Sequence, residues 1–505
     1  MAILKQFPVP SKPDELQEKV DELRSFVRTA AENATAAHET EAGIWRQLLD
    51  IGRTLMGNFF EHAGSGDLGE TVEVEGGRQL RRLPREHVRA YQSIFGTFEL
   101  SRAVYGTREG QRIEMVPLDQ RLNLPKSKFS YLLQDWDQQL AVENSFTEVD
   151  RVISKILQFS QSVDSLERMN RKMSEPVVDY WDSLPAPDAS EEAELLVLSA
   201  DGKGVPIRHG NPSPRGGALA SPKGIKPGAK KMALLAASYT VDRRERTPKE
   251  VVASLFREHA SPSAKSKEPG PCHKRLRASL ARDEKETTEP AQDEIFGWLA
   301  MEAQERNPDN EKPVLLLMDG QHDLWTSAES KLPARRIEIL DLLHVTPRLW
   351  KAAHLFFRES GSSAKKFVRE RVERILNGKV GSVIRGLRQM ATRSGLTGRK
   401  RKQLERICQY FERHRSRMRY DEYLAQGYPI ATGVIEGACR HVVKDRMERT
   451  GMQWVLEGAQ AMLDLRTVHL GGHWDDFCAY RIKKESERLY PHREVTETVE
   501  WPLAA

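Results

Sequence analysis

Five apolar runs in the middle of the chain predict β-strands. They lie at 194–205, 230–241, 246–256, 313–319 and 335–345. The run at 246–256 is the poorest, and a polar stretch and a helical pattern at 290–306 follow it before the next strand. The later runs are continuously apolar, which is typical of strands that are covered on both faces of a sheet.

Residues outside these strands show mainly helical spacing of apolar positions. Residues 14–61 follow this spacing with Gly43 and Gly52 as interruptions, which fits a dimerising or packing helix and equally an amphipathic helical hairpin. Residues 66–116 instead alternate and contain glycine turns, so they predict a small β-ribbon.

The segment 117–184 returns to helical spacing. Within it a helix, a polar turn and a second helix are predicted, and the second helix carries Arg168, Arg171 and Lys172. A DNA-binding helix-turn-helix has this pattern, and so does any helical hairpin. The Pro- and acid-rich stretch 184–194 then predicts a domain boundary.

The C-terminal half is predicted to be helical, and much of it is basic. Residues 346–423 form one helical region, and 427–470 read as two helices that separate near Thr450 and Gly451. From Ala364 to Tyr420 there are 18 Lys and Arg residues against 4 Asp and Glu, although the net charge of the chain is only +5. A solvated helical face explains a mild excess of cations, but this density favours a nucleic-acid partner.

Composition sets the remaining limits. The 505 residues are 39% hydrophobic and 30% charged, which predicts a folded, soluble protein of about two to four domains. No apolar run reaches the roughly 18 residues of a membrane span, and no signal-peptide pattern is visible, so we expect a cytoplasmic protein. Its four cysteines are scattered without a close pair, which argues against a disulfide framework or a cysteine zinc site.

In two of the predicted strands, the run of apolar residues ends at an Asp-Gly pair, at Asp201 and at Asp319. Asp-Gly is a common turn, and taken alone the pair fits two turn residues. If the strands are neighbours, however, the two carboxylates meet at one edge of the sheet, where they repel each other unless a cation compensates them. Carboxylate oxygens at such a site suit Mg²⁺ or Mn²⁺ better than zinc.

Two further positions are candidates for the same chemistry. Glu436, Arg440 and Lys444 lie four residues apart on a predicted helix, which places them on one face. They form either an exposed ion-pair ladder or a carboxylate ligand beside cations that hold phosphates. Asp341 and His344 follow the segment IEIL (337–340) of the last predicted strand, and His344 is either an ordinary residue of a helix start or part of a site near the sheet edge.

Four segments together resemble the bacterial insertion-sequence DDE transposases of the Kra type and, more distantly, the Mutator-like transposases. They are ADGKGV (200–205), MDGQ (318–321), DLLHV with LWKAAHLFF (341–357) and GYPIATGVIEGACRHVVKDRMERTGMQW (427–454). The resemblance covers about residues 190–475, and the last segment is its most specific part.

This resemblance implies a multidomain protein of α/β and α parts. A ribonuclease-H-like catalytic domain, with a mixed sheet and flanking helices, would comprise 190–350 and 427–475, interrupted by a basic all-helical insertion at 351–426. The predicted flanking regions are helical at 1–65, a β-ribbon at 66–116, a possible helix-turn-helix domain at 117–186 and a C-terminal tail at 476–505. Related ribbons often carry Cys-x-x-Cys pairs, but this one has no cysteine, so no zinc is expected there.

The resemblance also implies the chemistry. Asp201, Asp319 and Glu436 would be the catalytic triad that binds two Mg²⁺ or Mn²⁺ ions, with Asp341 and His344 as an accessory motif. The enzyme would bind the terminal inverted repeats of a transposon, cut the DNA at its ends and join the 3′-hydroxyl ends to target DNA. The alternatives are a catalytically silent DNA-binding protein derived from a transposase, or another ribonuclease-H-like nuclease.

Several basic residues would then contact double-stranded DNA. The phosphates near the site are assigned to Lys203, Arg440 and Lys444, and the backbone contacts of the insertion to Arg399, Lys400, Arg401 and Lys402. Because both transposon ends must be cut and joined, we expect a homodimer or a larger assembly on DNA in the bacterial cytoplasm. The resemblance explains no role for the long loop at 206–229.

Overall fold

The structure is a computed structural model of the chain. It describes residues 13–74, 76–85, 87–107, 113–208, 230–258, 270–280, 291–359, 361–449 and 451–498. The loop at 206–229 therefore lies almost wholly outside the described residues. Among the described helices, none is long and apolar enough to cross a membrane.

In the residues that the structure describes, the N-terminal part of the chain contains seven helices and five short strands. In chain order they are α1 Pro13–Glu32, α2 Ala37–Ala63, β1 Thr71–Val74, β2 Arg78–Arg82, β3 His87–Ser93, β4 Gly96–Arg102, β5 Tyr105–Gly106, α3 Pro117–Arg121, α4 Tyr131–Ala141, α5 Phe146–Leu157, α6 Val163–Ser174 and α7 Val177–Ser183.

The remaining elements alternate at first and then become helical. They are β6 Leu195–Pro206, β7 Lys230–Val241, α8 Pro248–Leu255, β8 Cys272–Leu280, α9 Ala291–Arg306, β9 Val314–Met318, α10 His322–Lys331, β10 Ile337–Leu340, α11 Leu342–Ala353, α12 Ser362–Leu376, α13 Val380–Arg393, α14 Gly398–Arg413, α15 Tyr420–Ala425, α16 Gly433–Ala438, a π-helical turn Cys439–Lys444, α17 Asp445–Met447, α18 Leu456–Gly471, α19 Trp474–Leu489 and α20 Arg493–Thr498.

The chain divides into two compact units. The first comprises the described residues up to Pro176 and those from Trp474 onward, and the second runs from Val177 to His473. The segment after 475, which the sequence suggests is a tail, therefore contributes α20 and most of α19 to the first unit, where α20 packs on α3.

In the first unit, the long N-terminal helical pattern forms two helices that pack against each other. A Cβ atom at Gly43 would lie 2.2 Å from the ring of Phe26, so the glycine allows α1 and α2 to approach closely. The ribbon region forms a three-stranded sheet, in the order β1-β2-β5, and a separate β3-β4 hairpin. Helices α4, α5 and α6 pack pairwise, and Ser145 and Ser162 cap the last two by accepting a hydrogen bond from a backbone N–H.

The second unit is built on a mixed five-stranded sheet in the order β10-β9-β6-β7-β8. Strands β10, β9 and β6 are parallel, whereas β6, β7 and β8 are antiparallel. The mixed α/β architecture predicted from the sequence is confirmed. One strand was assigned to the wrong segment.

The apolar run at 246–256 forms helix α8 and not a strand. Thr247 and Glu250 make a reciprocal capping box, and Pro248 occupies the first helical turn, which favours a helix start over a strand. The missing strand is β8, Cys272–Leu280, within the stretch that looks polar in the sequence. It lies at the sheet edge and mixes buried with partly exposed positions, so it lacks a continuous apolar run.

One face of this sheet carries a continuous hydrophobic core. Leu196, Leu198 and Ala200 of β6 pack there with Leu316 and Met318 of β9. Helices α9 and α10 cover these residues with the following buried side chains: Ile295, Phe296, Trp298, Leu299, Leu324 and Trp325. Since burial of one such side chain contributes about 1.5–3 kcal/mol, this cluster fixes the positions of β6 and β9.

Candidate metal centre

Strands β6 and β9 place the two Asp-Gly pairs side by side. Their parallel register pairs Leu196 with Val314 and Leu198 with Leu316. The same register, continued along the strands, brings Asp201 level with Asp319. Because side chains alternate along a strand, both aspartates belong to the face opposite the hydrophobic core.

Asp201 does not end its strand, contrary to the sequence prediction. Strand β6 continues to Pro206 because β7 remains paired with it, as in the pairs of Asp201 with Leu235 and Gly204 with Met232. Asp319 does directly follow the last residue of β9. The two carboxylates are thus held differently, one within a strand and the other at a strand end.

The carboxylate of Asp201 is largely enclosed. Its Oδ1 accepts a hydrogen bond from the Gly202 N–H at 2.7 Å, and its Oδ2 accepts one from the thiol of Cys439 at 3.3 Å. Burial raises the pKa of Asp201, and the charge of Asp319 raises it further, while the two hydrogen bonds and His344 act against this rise. A cation beside this carboxylate would offset the cost of its ionisation.

Asp319 is held through one of its two oxygens. Its Oδ1 accepts hydrogen bonds from the Gly320 N–H and from the Tyr410 hydroxyl, the latter at 3.3 Å, and lies 3.4 Å from His344 Nδ1. Among the described residues, none donates a hydrogen bond to Oδ2. The Trp325 indole donates to the backbone carbonyl of Asp319 at 2.7 Å and fixes the strand end.

His344 connects Asp319 to Glu436. Its Nδ1 faces Asp319, and its Nε2 lies 3.1 Å from Oε1 of Glu436. His344 lies in the first turn of α11, and Glu436 lies in α16, whose first turn is capped by the Thr432 side chain. The imidazole therefore joins the sheet edge to the helix that follows the insertion.

Asp341 is a buried carboxylate that connects two backbone segments of the same region. It is 1% exposed, and its two oxygens accept hydrogen bonds from the Leu343 N–H at 2.7 Å and the Thr432 N–H at 3.1 Å. It therefore ties the start of α11 to the start of α16. Burial raises the pKa of Asp341 to about 6, and the charge of Glu436 adds to this, although both hydrogen bonds and His344 oppose it.

These donors fit a divalent cation. Ligand atoms of Asp341, His344 and Glu436 lie within 4.8 Å of one another. Asp201 and Asp319 adjoin this group, which makes four carboxylates and one imidazole at one sheet edge. Burial, and to a smaller extent the neighbouring carboxylates, raise the pKa of Asp201 and Asp341, and oxygen donors of this kind suit Mg²⁺ or Mn²⁺.

Three residues at this centre were missed by the sequence analysis. They are Arg348, Tyr410 and Cys439. The guanidinium of Arg348 stacks 3.5 Å from the ring of Tyr410 and lies 3.9 Å from Oδ1 of Asp319. Its spacing of four residues from His344 on a helix was a usable signal, whereas nothing near Tyr410 in the sequence indicates a contact with a residue 91 positions away.

The helix of Glu436 is not regular, which corrects another prediction. Cys439–Lys444 is π-helical, and its wider turn breaks the α-helical stacking that would align Glu436, Arg440 and Lys444 on one face. The turn directs Cys439 onto Asp201. Arg440 is 70% exposed and lies 3.7 Å from Asp445.

The other predicted DNA contacts lie in different places. Lys203 is two residues beyond Asp201 on β6, on the same side of the strand, and Lys444 is exposed. In the first turn of α14, Arg399, Lys400 and Lys402 are exposed, and Arg401 donates a hydrogen bond to Thr392. In the first unit, Arg168 pairs with Asp164 and Lys172 with Glu175, while Arg171 is half-buried on the same helix.

Comparison with known proteins adds little to this geometry. No protein-family model matches the chain, and neither does any curated protein. Among solved structures, the chain is similar to the Drosophila P element transposase strand transfer complex, at 13% sequence identity and a TM-score of 0.25. That alignment covers 72% of this chain and 82% of the other. A TM-score this low does not establish a common fold.

Proposed function

We propose that this protein is a DNA transposase of the DDE type, related to the Kra-type enzymes of bacterial insertion sequences. The observation that carries the proposal is the meeting of Asp201 and Asp319 on neighbouring parallel strands, with Glu436 joined to Asp319 through His344. The mixed sheet would then be that of a ribonuclease-H-like domain at 190–350 and 427–475, with the insertion at 351–426.

Asp201, Asp319 and Glu436 would hold the divalent cations, Mg²⁺ or Mn²⁺. When bound, two such ions activate the attacking hydroxyl and stabilise the leaving 3′-oxygen in phosphoryl transfer. The Gly320 N–H and the Tyr410 hydroxyl orient Asp319 through Oδ1, which leaves Oδ2 for a ligand. Burial raises the pKa of Tyr410 to about 12, so its hydroxyl keeps the proton that it donates at neutral pH.

Other residues of the chain set the position of these ligands. Asp341 fixes the backbone at the start of α16 and thereby the reach of Glu436. His344 holds Glu436 near Asp319, and the thiol of Cys439 occupies the second oxygen of Asp201. An in-line reaction depends on such fixed geometry, because misplacement by about 1 Å is enough to lower a rate by about a hundredfold.

The proposed DNA contacts are made by positively charged side chains. Lys203, Arg440 and Lys444 would hold phosphates beside the reacting bond, and the insertion helices would bind the backbone without reading sequence. Support comes from α14, which begins with Arg399, Lys400, Arg401 and Lys402. Cations are unfavourable at a helix N-terminus, so their presence there does not serve helix stability and is consistent with an anionic partner.

The terminal repeats would be read by α5 and α6, with Arg168, Arg171 and Lys172 as contacts. These two helices flank a short turn and pack on α4, which fits a helix-turn-helix arrangement. In a homodimer, the contact would be made by a stripe of exposed apolar side chains on α2. Trp45, Leu48, Leu55 and Phe59 are 43–49% exposed along this helix.

The decisive experiment is cleavage of DNA that carries the ends of the protein's own transposon. With Mg²⁺, we expect the wild type to cut this DNA and Asp319→Asn to bind it normally without cutting, because the amide cannot supply the anionic ligand. Asp323→Asn is the matched control, since Asp323 is exposed in the first turn of α10, four residues further along.

The possible outcomes separate the candidates. Normal cleavage by Asp319→Asn contradicts the assignment of the triad. DNA binding by the wild type without cleavage under Mg²⁺ or Mn²⁺ supports the silent, transposase-derived alternative. Cleavage of branched or hybrid nucleic acid in preference to transposon ends supports another nuclease.

A further inference from the structure

The insertion helices contain a cleft that is lined mainly by arginine. It has a volume of about 850 Å³ and lies chiefly between α13 and α14. Its lining comprises Arg385, Arg388, Arg393, Arg401 and Arg415, one acidic residue, Glu412, and the four residues Gly381, Ile384, Gln389 and Thr392. The charged groups therefore carry a net positive charge at neutral pH.

Not all of these arginines are available to a ligand. Arg388 is bound by Glu405, at distances down to 2.5 Å, and by Glu412, at distances down to 2.6 Å, so two carboxylates more than offset its charge and join α13 to α14. Arg401 donates a hydrogen bond to Thr392 at the rim. These contacts build the wall of the cleft and hold its shape.

Arg385, Arg393 and Arg415 make no ion pair with any residue that the structure describes. Gly381 leaves room for the last of them, since a Cβ atom there would lie 3.4 Å from the Arg415 guanidinium. All three side chains are exposed to solvent, and their mutual repulsion would be relieved by an anion in the cleft. Guanidinium groups match the oxygens of a phosphate well.

The spacing of the arginines along α13 favours a row of backbone phosphates over a single phosphate group. Arg385, Gln389 and Arg393 follow each other at four-residue intervals on one face of the helix, and the two arginines are separated by about 12 Å along its axis. A DNA strand passes a phosphate roughly every 3.4 Å of axis, so this row spans about three phosphates. No aromatic ring lines the cleft, so bases have nothing to stack on.

We propose that this cleft is the site at which the insertion binds a DNA phosphate backbone, and that Arg385, Arg393 and Arg415 supply most of its contacts. The proposal rests on the DNA partner of the proposed function but not on catalysis. It differs from the sequence-based assignment, which gave this role to Arg399, Lys400, Arg401 and Lys402 at the start of α14, of which only Arg401 lines the cleft.

The test compares two triple variants that remove the same charge. One is Arg385→Gln, Arg393→Gln, Arg415→Gln, and the other is Arg399→Gln, Lys400→Gln, Lys402→Gln. Binding of a fluorescent 20-base-pair duplex is measured by anisotropy, in EDTA, over a series of salt concentrations. Circular dichroism and thermal melting of each variant check that the helices are intact.

We expect the cleft variant to lose affinity strongly and to lower the slope of log K against log salt by about 2–3, since each lost phosphate contact contributes about 0.9. The surface variant should change both quantities by less than half as much. A control triple of exposed cations outside the insertion, Lys249→Gln, Arg257→Gln, Arg335→Gln, should bind within about twofold of the wild type.

Equal losses in the cleft and surface variants would contradict the proposal, because binding would then be spread over the whole basic surface. So would saturable binding of ATP that depends on the cleft arginines while duplex binding does not. Since EDTA removes divalent metal, these results are independent of cleavage. If the wild type cuts its ends but the cleft variant binds DNA normally, the inference fails and the proposed function stands.

Discussion

The carboxylate centre and the arginine cleft differ in how the chain builds them. Asp201, Asp319, His344 and Glu436 come from four separate segments, and the sheet together with two helix starts brings them together. Every residue that lines the cleft lies within a single stretch of 35 positions, 381–415. One region is assembled by long-range topology, and the other by consecutive helices.

Because of this difference, the two regions should respond differently to substitutions and to solution conditions. At the centre, several groups share single oxygen atoms, as at Oδ1 of Asp319, so a small displacement affects all of them. In the cleft, three unpaired arginines act on a repeating backbone, so their contributions are close to additive. Metal binding should therefore be sensitive to geometry and pH, and backbone binding to charge and salt.

The largest expected difference between the two regions is in pH dependence. Burial raises the pKa of Asp341 to about 6, so this carboxyl group gains a proton as the pH falls below about 6, and burial also raises the pKa of Asp201 above its usual value. Asp201 binds a metal ion only when it is ionised, and Asp341 holds the starts of α11 and α16 through its ionised oxygens, so Mn²⁺ affinity should be highest above pH 6 and fall about tenfold per pH unit below it.

Arginine stays protonated throughout this range, so duplex binding through the cleft should be nearly constant between pH 5.5 and 7.5, within about twofold. Calorimetry with Mn²⁺ and anisotropy with DNA, measured at the same pH values, check both expectations. A parallel loss of metal and DNA affinity would show that the two regions are not independent.

A smaller effect is expected from a substitution that fills the space between Gly320 and the ring of Tyr410. A Cβ atom at Gly320 would lie 2.3 Å from the ring of Tyr410, which is itself held between Arg348 and His414. Gly320→Ala should therefore displace Tyr410 from Asp319 and weaken Mn²⁺ binding about tenfold, a loss of about 1.4 kcal/mol.

Gly297→Ala is the matched control for this substitution. Gly297 lies in α9, and a Cβ atom there meets nothing within 4 Å. Alanine is also the better helix former, so this variant should keep wild-type Mn²⁺ affinity and stability or exceed the latter slightly. Equal metal affinity in both variants, measured by calorimetry, would show that the contact with Tyr410 does not matter.

The smallest effect is expected from removing one hydroxyl. Tyr410→Phe deletes the 3.3 Å hydrogen bond to Asp319 and leaves the stacking with Arg348 in place. We expect Mn²⁺ affinity to fall about three- to tenfold, in line with about 0.5–1.5 kcal/mol for a hydrogen bond, and duplex binding to stay unchanged. Equal Mn²⁺ affinity in Tyr410→Phe and in the wild type would show that this hydrogen bond does not orient Asp319.

Local patterns in the sequence predicted many of the elements correctly. The buried strands β6 and β9 and the helix α9 coincide with apolar runs or helical spacing at the predicted positions, whereas β10 occupies only 337–340 of the strand predicted at 335–345, because Asp341 caps helix α11. The errors fall where local and tertiary preferences conflict. The run at 246–256 became a helix because of its capping box, and β8 was missed because an edge strand does not need a continuous apolar pattern.

The sequence by itself determined which residue types were present, which segments were buried strands, and that the basic residues were concentrated between Ala364 and Tyr420. Only the tertiary structure decided that β6 lies beside β9, that a π-helical turn brings Cys439 to Asp201, and that Tyr410 reaches Asp319. The physical reason is range. The apolar pattern and the helix or strand preference of a segment can be read from residues that are near neighbours in the chain. The contacts of Tyr410 with Asp319 and of Cys439 with Asp201 instead join residues 91 or more positions apart through the packing of the whole unit.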